Sequence, residues 1–125
     1  LQELHRITRP GGKLLLTVPF VWDEHEQPYD FARYSSFGLR HLLRCAGFRV
    51  IAETKTLANA AILAQLWLSY LYKVVVRWPR LLRIATFLVV ATPINVIGLA
   101  LQACSPRNPD LYLDNVVLYE RTTDE

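Results

Sequence analysis

The chain of 125 residues has little glycine and little cysteine, and each shortage limits what it can do. Its five glycines form no Gly-x-Gly-x-Gly turn of the kind that cradles a phosphate or a ribose. Its two cysteines, Cys45 and Cys104, could pair in principle, but we expect no disulfide framework. The residues therefore predict neither a phosphate-binding loop nor a disulfide-stabilised secreted fold.

Charge is sparse as well. Charged residues make up 20% of the chain, the net charge is +3, and the basic residues belong to no recognisable nucleic-acid-binding module, so nucleic-acid binding is not expected. His41 and Cys45 have the four-residue spacing of helical metal ligands, but no further ligand lies near them in sequence, and we expect no metal site. The first residues are polar and charged where a signal peptide needs an apolar segment, which predicts no signal peptide.

Apolar residues are abundant and concentrate between Ala58 and Cys104. The pattern predicts a helix over residues 60–76, a break at Trp78-Pro79, and a second helix over residues 81–101 that is apolar nearly all round. The first helix carries one narrow polar stripe formed by Gln65, Ser69, Lys73 and Arg77. We therefore predict a helical hydrophobic insert at residues 58–109.

Three interpretations of this insert stay open from the sequence. It could be a hairpin packed on the sheet or in a homodimer through residues 60–104, a segment lying on a membrane surface, or a true membrane span. The second helix is about 20 residues long, which suits a span, although Pro93, Asn95 and Gly98 weigh against one. Basic side chains flank aromatic ones around the break and favour a lipid headgroup layer, namely Trp67, Tyr70, Tyr72, Lys73, Arg77, Trp78, Arg80 and Arg83.

The remaining residues predict a helix, strand, helix, strand order with a further strand at the end. Residues 1–9 read as a helix end closed by Pro10-Gly11-Gly12, and residues 13–20 as a strand that is apolar without alternation and hence covered on both faces. A long polar and aromatic loop over residues 21–34 precedes a helix that starts at Ser35 or Ser36 and ends before Gly47. Residues 48–56 and 110–120 are predicted strands.

A series of residues in this order resembles the class I S-adenosylmethionine-dependent methyltransferases, in the branch that acts on small molecules, glycans and lipids. The resemblance covers roughly the first 55 residues and the last 15. It rests on Glu3, Arg6, Ile7, Pro10-Gly11-Gly12, Pro19, His25, Pro28, Asp30-Phe31-x-Arg33-Tyr34-Ser35, Gly38-Leu39, Leu42-Leu43, Ala46-Gly47-Phe48-x-Val50 and Asn115-Val116-Val117-Leu118.

The resemblance implies an α/β fold, the C-terminal part of a Rossmann-like sheet with parallel strands and an antiparallel final strand. The strand order would be 13–20, 112–121, 49–56, and residues 1–125 would form one partial domain. The family holds S-adenosylmethionine with residues that would lie upstream of Leu1, so no cofactor-binding residue is expected in this chain. A fragment of this kind would be inactive alone, and its expected compartment is the cytoplasm, at the inner face of the membrane if the insert binds lipid.

The candidate site residues lie in the long loop at the carboxyl end of the first strand, where such sheets bind ligands. His25 could act as a general base on the methyl acceptor, or it could only order the loop. Asp30 and Arg33 could pair and fix a lid. The expected substrate-binding set is Trp22, His25, Tyr29, Asp30, Arg33 and Tyr34.

The expected function is therefore methyl transfer to a small-molecule, glycan or lipid-linked acceptor. A rival from another class is a non-catalytic membrane-attached or protein-interaction module built on a degenerate half-sheet. A different Rossmann enzyme, such as a nucleotide-dependent reductase, is a third alternative, but the Asp-Phe-x-Arg-Tyr loop at residues 30–34 argues against it.

Overall fold

The computed structural model describes residues 1–122 and shows a mixed α/β protein. The chain divides into two compact units. The sheet unit comprises Leu1–Thr56 and the chain from Leu113 onward, and the helical unit comprises Leu57–Tyr112. The insert predicted at residues 58–109 falls within the helical unit.

The sheet unit contains two helices and three strands. They are α1 (Gln2–Ile7), β1 (Lys13–Pro19), α2 (Ser36–Cys45), β2 (Phe48–Lys55) and β3 (Asp114–Arg121). The strand order is β1-β3-β2, and β3 is antiparallel to both of its neighbours. Since both outer strands oppose β3, they run in the same direction. This order and the antiparallel last strand agree with the sequence prediction, whereas no two adjacent strands among residues 1–122 are parallel.

Helix α2 covers one face of the sheet and forms the core with it. Leu39 and Leu43 of α2 are buried against Phe48, Val117 and Tyr119. The Ser35 hydroxyl accepts a hydrogen bond from the backbone N–H of Gly38 at 3.2 Å, which caps the helix as predicted. At the other end, Gly47 adopts a left-handed backbone with φ of 81° and turns the chain into β2.

Two sequence predictions about the strands are wrong. β1 is not covered on both faces: Leu14, Leu16 and Val18 are half-buried on the core side, but Leu15 is 65% exposed on the other. A run of apolar residues indicates what a strand can bury, but within the sheet unit α2 covers only one face. The last strand also begins at Asp114 instead of Asp110, because the chain turns at Asn108: the Leu111 N–H donates to the Asn108 carbonyl at 3.3 Å, and the Asp110 N–H donates to Asn108 Oδ1 at 3.0 Å.

The helical unit is an antiparallel hairpin of α3 (Ala61–Val75) and a continuous helix from Arg80 to Cys104. The second helix comprises α4 (Arg80–Thr86), a π-helical turn (Phe87–Ala91) and α5 (Thr92–Cys104). Pro93 has no N–H to donate to the preceding turn, which accounts for the wider π turn there. The two ends of the unit meet, because the Asn108 N–H donates to the Ala58 carbonyl at 2.8 Å.

Candidate functional site

The loop between β1 and α2 folds back on itself and brings four of its polar residues together. Glu26 adopts a left-handed backbone with φ of 54°, and the Tyr29 N–H donates to the Glu26 carbonyl at 2.9 Å, which closes a turn. The turn places Asp30 beside His25, and the His25 backbone N–H donates to Asp30 Oδ2 at 3.0 Å. The loop therefore has a defined conformation that depends on its own polar side chains.

Arg33 is the centre of these contacts. Its guanidinium makes a bidentate ion pair with Asp30, through Nη1 to Oδ1 and through Nη2 to Oδ2 at 2.6 Å. Nη2 also donates to the backbone carbonyl of Asp23 at 2.9 Å, ten residues earlier in the chain. The sequence correctly predicted that Asp30 and Arg33 pair. It did not predict that the same guanidinium also donates to the Asp23 carbonyl and so connects the start of the loop to its end.

The Asp30 carboxylate is held ionised by its partners. The Arg33 guanidinium first, and the backbone N–H of His25 second, keep the pKa of Asp30 well below its usual range. The Asp30 carboxylate in turn raises the pKa of Arg33 above its ordinary value. Only 12% of the Asp30 side chain is exposed, so this pair is an interior element of the loop and not a loose surface contact.

His25 has one ring nitrogen turned into the loop. Its Nδ1 lies 3.2 Å from the Asp23 carbonyl oxygen, 3.2 Å from Arg33 Nη2 and 3.5 Å from Asp30 Oδ2. The two hydrogens on Arg33 Nη2 already go to Asp30 and Asp23, so Nδ1 need not accept a bond and can donate its own hydrogen to the Asp23 carbonyl. In that tautomer Nε2 carries the lone pair, and it makes no hydrogen bond to any residue in the described range.

The aromatic residues of the loop do not form a closed pocket wall. Tyr29 and Phe31 pack edge to face with ring centroids 6.3 Å apart, and they are 74% and 84% exposed. Trp22 is half-buried. Tyr29, which is in the expected substrate-binding set, and Phe31 therefore face outward and do not bury the loop.

Tyr34 connects the loop to the central strand. Its backbone carbonyl accepts a hydrogen bond at 3.2 Å from the side-chain amide of Asn115, which is fully buried on β3. Asn115 was not among the predicted site residues. The available signal was its position directly before an apolar run, because a polar amide inside a buried strand needs a partner.

A second polar cluster lies between α2 and the sheet, away from the loop in sequence. Arg40 donates to Glu53 Oε2 at 2.8 Å, and the fully buried hydroxyl of Tyr119 has no hydrogen-bond partner within residues 1–122. Burial, and then the nearby Glu53 carboxylate, raise the pKa of Tyr119. An adjacent cavity of about 470 Å³ is lined in part by Arg44 and Arg49. No sequence pattern predicted this cluster, because its members are distant along the chain.

The described residues do not fit S-adenosylmethionine. The loop's hydrogen-bonding groups are largely committed to one another, and residues 1–122 contain no glycine-rich turn that could hold the cofactor. No protein-family model, curated protein or solved structure matches this chain.

Proposed function

We propose that the sheet unit is the C-terminal, acceptor-binding part of a Rossmann-like, S-adenosylmethionine-dependent methyltransferase. The acceptor is a small molecule, a glycan or a lipid-linked compound. The observation that carries the proposal is the placement of the β1–α2 loop at the carboxyl end of β1, in a sheet whose antiparallel last strand lies between two strands of common direction. Ligands of Rossmann-like sheets bind at that edge.

The free edge and the open face of the sheet support this proposal. β1 pairs with β3 on one side only, and its other edge pairs with no strand among the described residues. Leu15, on the face opposite α2, is largely exposed although it is paired with Leu118 in the middle of the sheet. An apolar strand with one unpaired edge suits a position beside a further strand and beneath a further helix. The donor-binding residues would lie in those further elements.

The role of this chain is then to bind, orient and deprotonate the acceptor. With Nδ1 donating to the Asp23 carbonyl, Nε2 of His25 can accept the proton of an acceptor hydroxyl as the oxygen attacks the methyl group. The Asp30 carboxylate, 3.5 Å from Nδ1, offsets the positive charge of the Arg33 guanidinium, 3.2 Å from Nδ1, as the imidazolium forms. Arg33 fixes both groups in the loop, and the 40% exposed His25 side chain is accessible to an acceptor.

The test is methyl transfer by the polypeptide encoded by the whole reading frame that contains these residues. Radiolabelled S-adenosylmethionine and a cell extract fractionated into lipids, glycans and small molecules identify the acceptor class. We expect His25→Ala to lower kcat by about 100-fold, the usual contribution of a general base, while S-adenosylmethionine binding is unchanged. The matched control is His41→Ala, which changes an exposed histidine of α2, and we expect this variant to keep full activity.

Two results would count against the proposal. Absence of methyl transfer to any fraction would remove the enzyme assignment. Full turnover in His25→Ala, together with faster hydrogen exchange in the loop, would leave His25 with an ordering role only.

A further inference from the structure

The outer surface of the helical unit is apolar to an unusual degree. The helix from Arg80 to Cys104 is 25 residues long, and only 11% of its most apolar 18-residue stretch is buried. With a rise of about 1.5 Å per residue it extends roughly 37 Å, enough to cross the hydrocarbon layer of a bilayer. Apolar side chains project outward from both helices of the hairpin, including Leu63, Trp67, Leu81, Leu88, Val89 and Val96.

The side chains that the hairpin buries are apolar as well, namely Ala61, Ile62, Ala64, Val75 and Ala91. Gln65 of α3 and Asn95 and Gln102 of α5 line a cavity of about 90 Å³ between the two helices. The Asn95 amide also donates to the Ala91 carbonyl at 3.0 Å, so the amide is hydrogen-bonded within its own helix. A helix pair in water places its polar side chains outward and its apolar ones between the helices. This hairpin is apolar on its outer side as well, and a helix pair that is apolar nearly all round suits an apolar solvent.

The helices also approach each other through small residues. A Cβ atom added at Gly98 would lie 3.0 Å from the Cβ of Ala64, so the backbones are close at that point. Helices in lipid associate through small residues of this kind, because lipid gives no hydrophobic drive for burying large ones.

Basic residues lie at the turn of the hairpin. Arg77 and Arg80 flank Trp78-Pro79 and form no ion pair with any residue of the described range, while Arg83 donates to the Val76 carbonyl at 3.2 Å. Arginine and tryptophan side by side are typical of the headgroup layer, where guanidinium groups meet lipid phosphates.

We propose that the helical unit, residues 57–112, inserts into a phospholipid bilayer. Its outer apolar surface contacts acyl chains, and the guanidinium groups of the turn bind headgroup phosphates. Bilayer lipid is the occupant that matches the length of the second helix, the apolar outer surface of the hairpin and its basic turn together. The inference does not depend on methyl transfer, since it concerns a different unit of the chain.

Flotation of residues 1–125 with phospholipid vesicles on a density gradient tests the proposal. We expect the chain to float with vesicles and to remain bound in high salt and in alkaline carbonate, because apolar insertion resists both. The double variant Leu88→Glu with Val89→Glu places two carboxylates on the outer surface and should lower the vesicle-bound fraction by about 10-fold or more. Phe37→Glu, the same kind of change at an exposed aromatic residue of the sheet unit, is the matched control and should float like the parent chain.

A second measurement uses only Trp→Phe changes, which add no charge to the apolar surface. A chain that retains Trp67 alone, with Trp22→Phe and Trp78→Phe, should lose fluorescence in vesicles whose acyl chains carry bromine.

The variant Arg77→Gln with Arg80→Gln and Arg83→Gln should lose the preference for anionic over zwitterionic vesicles while still floating. A chain that stays in the lipid-free fraction would overturn the proposal, including the case of a soluble dimer whose second copy covers the apolar surface. Equal loss of flotation in the Phe37→Glu control would overturn it too.

Discussion

At the residue scale, a single carboxylate determines the conformation of the candidate loop. Asp30 accepts from the Arg33 guanidinium and from the His25 backbone N–H, so the positions of two other residues depend on its side chain. Because the folded-state pKa of Asp30 is lowered, its contribution is fully present above the ordinary aspartate pKa. The contribution is lost only when pH falls toward the lowered value. The loop should therefore keep its order from neutral pH down through the range in which ordinary aspartates protonate.

Asp30→Asn should disorder this loop without unfolding the sheet. The amide cannot form the charged bidentate pair with Arg33, and we expect protection of the His25 amide against hydrogen exchange to fall by about 10-fold. Asp110→Asn, at an exposed residue of the helical unit, should leave that protection unchanged. Protection that is equal in both variants would show that the ion pair does not order the loop.

At the element scale, glycines in the left-handed backbone conformation occupy the turns that lead into β1 and β2. Gly11 has φ of 71° after α1, and Gly47 has φ of 81° after α2. Their surroundings differ: a Cβ at Gly11 would meet nothing within 4 Å, whereas one at Gly47 would lie 2.7 Å from Nε2 of His5. The His5 ring packs edge-on against Phe48 with centroids 5.7 Å apart, so moving it disturbs the core. The two positions form a matched pair.

Gly11→Ala should cost about 1 kcal/mol, the backbone penalty alone, and Gly47→Ala about 2 kcal/mol because the His5 ring must also shift. Native-state hydrogen exchange of the Val117 and Tyr119 amides measures both free energies of opening. Adding His5→Ala to Gly47→Ala should reduce the difference between the two glycine sites. Equal costs at Gly11 and Gly47 would contradict the steric part of the argument.

The elements also show what the sequence could predict and what it could not. The Ser35 cap, the Gly47 turn and the Asp30–Arg33 pair were predictable because each depends on residues a few positions apart. The strand order was predicted through a family resemblance. The exposure of Leu15 and the bond from Asn115 to Tyr34 were not predicted, because they depend on which distant elements meet.

At the scale of the whole molecule, the chain combines two units of opposite chemistry. The sheet unit buries an apolar core under α2 and presents polar loop residues at the end of β1. The helical unit buries apolar side chains such as Ile62 and Val75 and also exposes many large apolar side chains on its outer surface. If both proposals hold, the chain contributes the acceptor-binding part and the lipid-binding part of one enzyme. A lipid-linked acceptor would then be the natural substrate among the three classes.

The most direct test of the central claim is the binding of S-adenosylmethionine. It is measured by equilibrium dialysis on the polypeptide encoded by the whole reading frame and, separately, on residues 1–125. We predict saturable binding to the first and none to the second, because the described residues do not fit the cofactor. A complete polypeptide that fails to bind S-adenosylmethionine would contradict the assignment of this sheet to a methyltransferase.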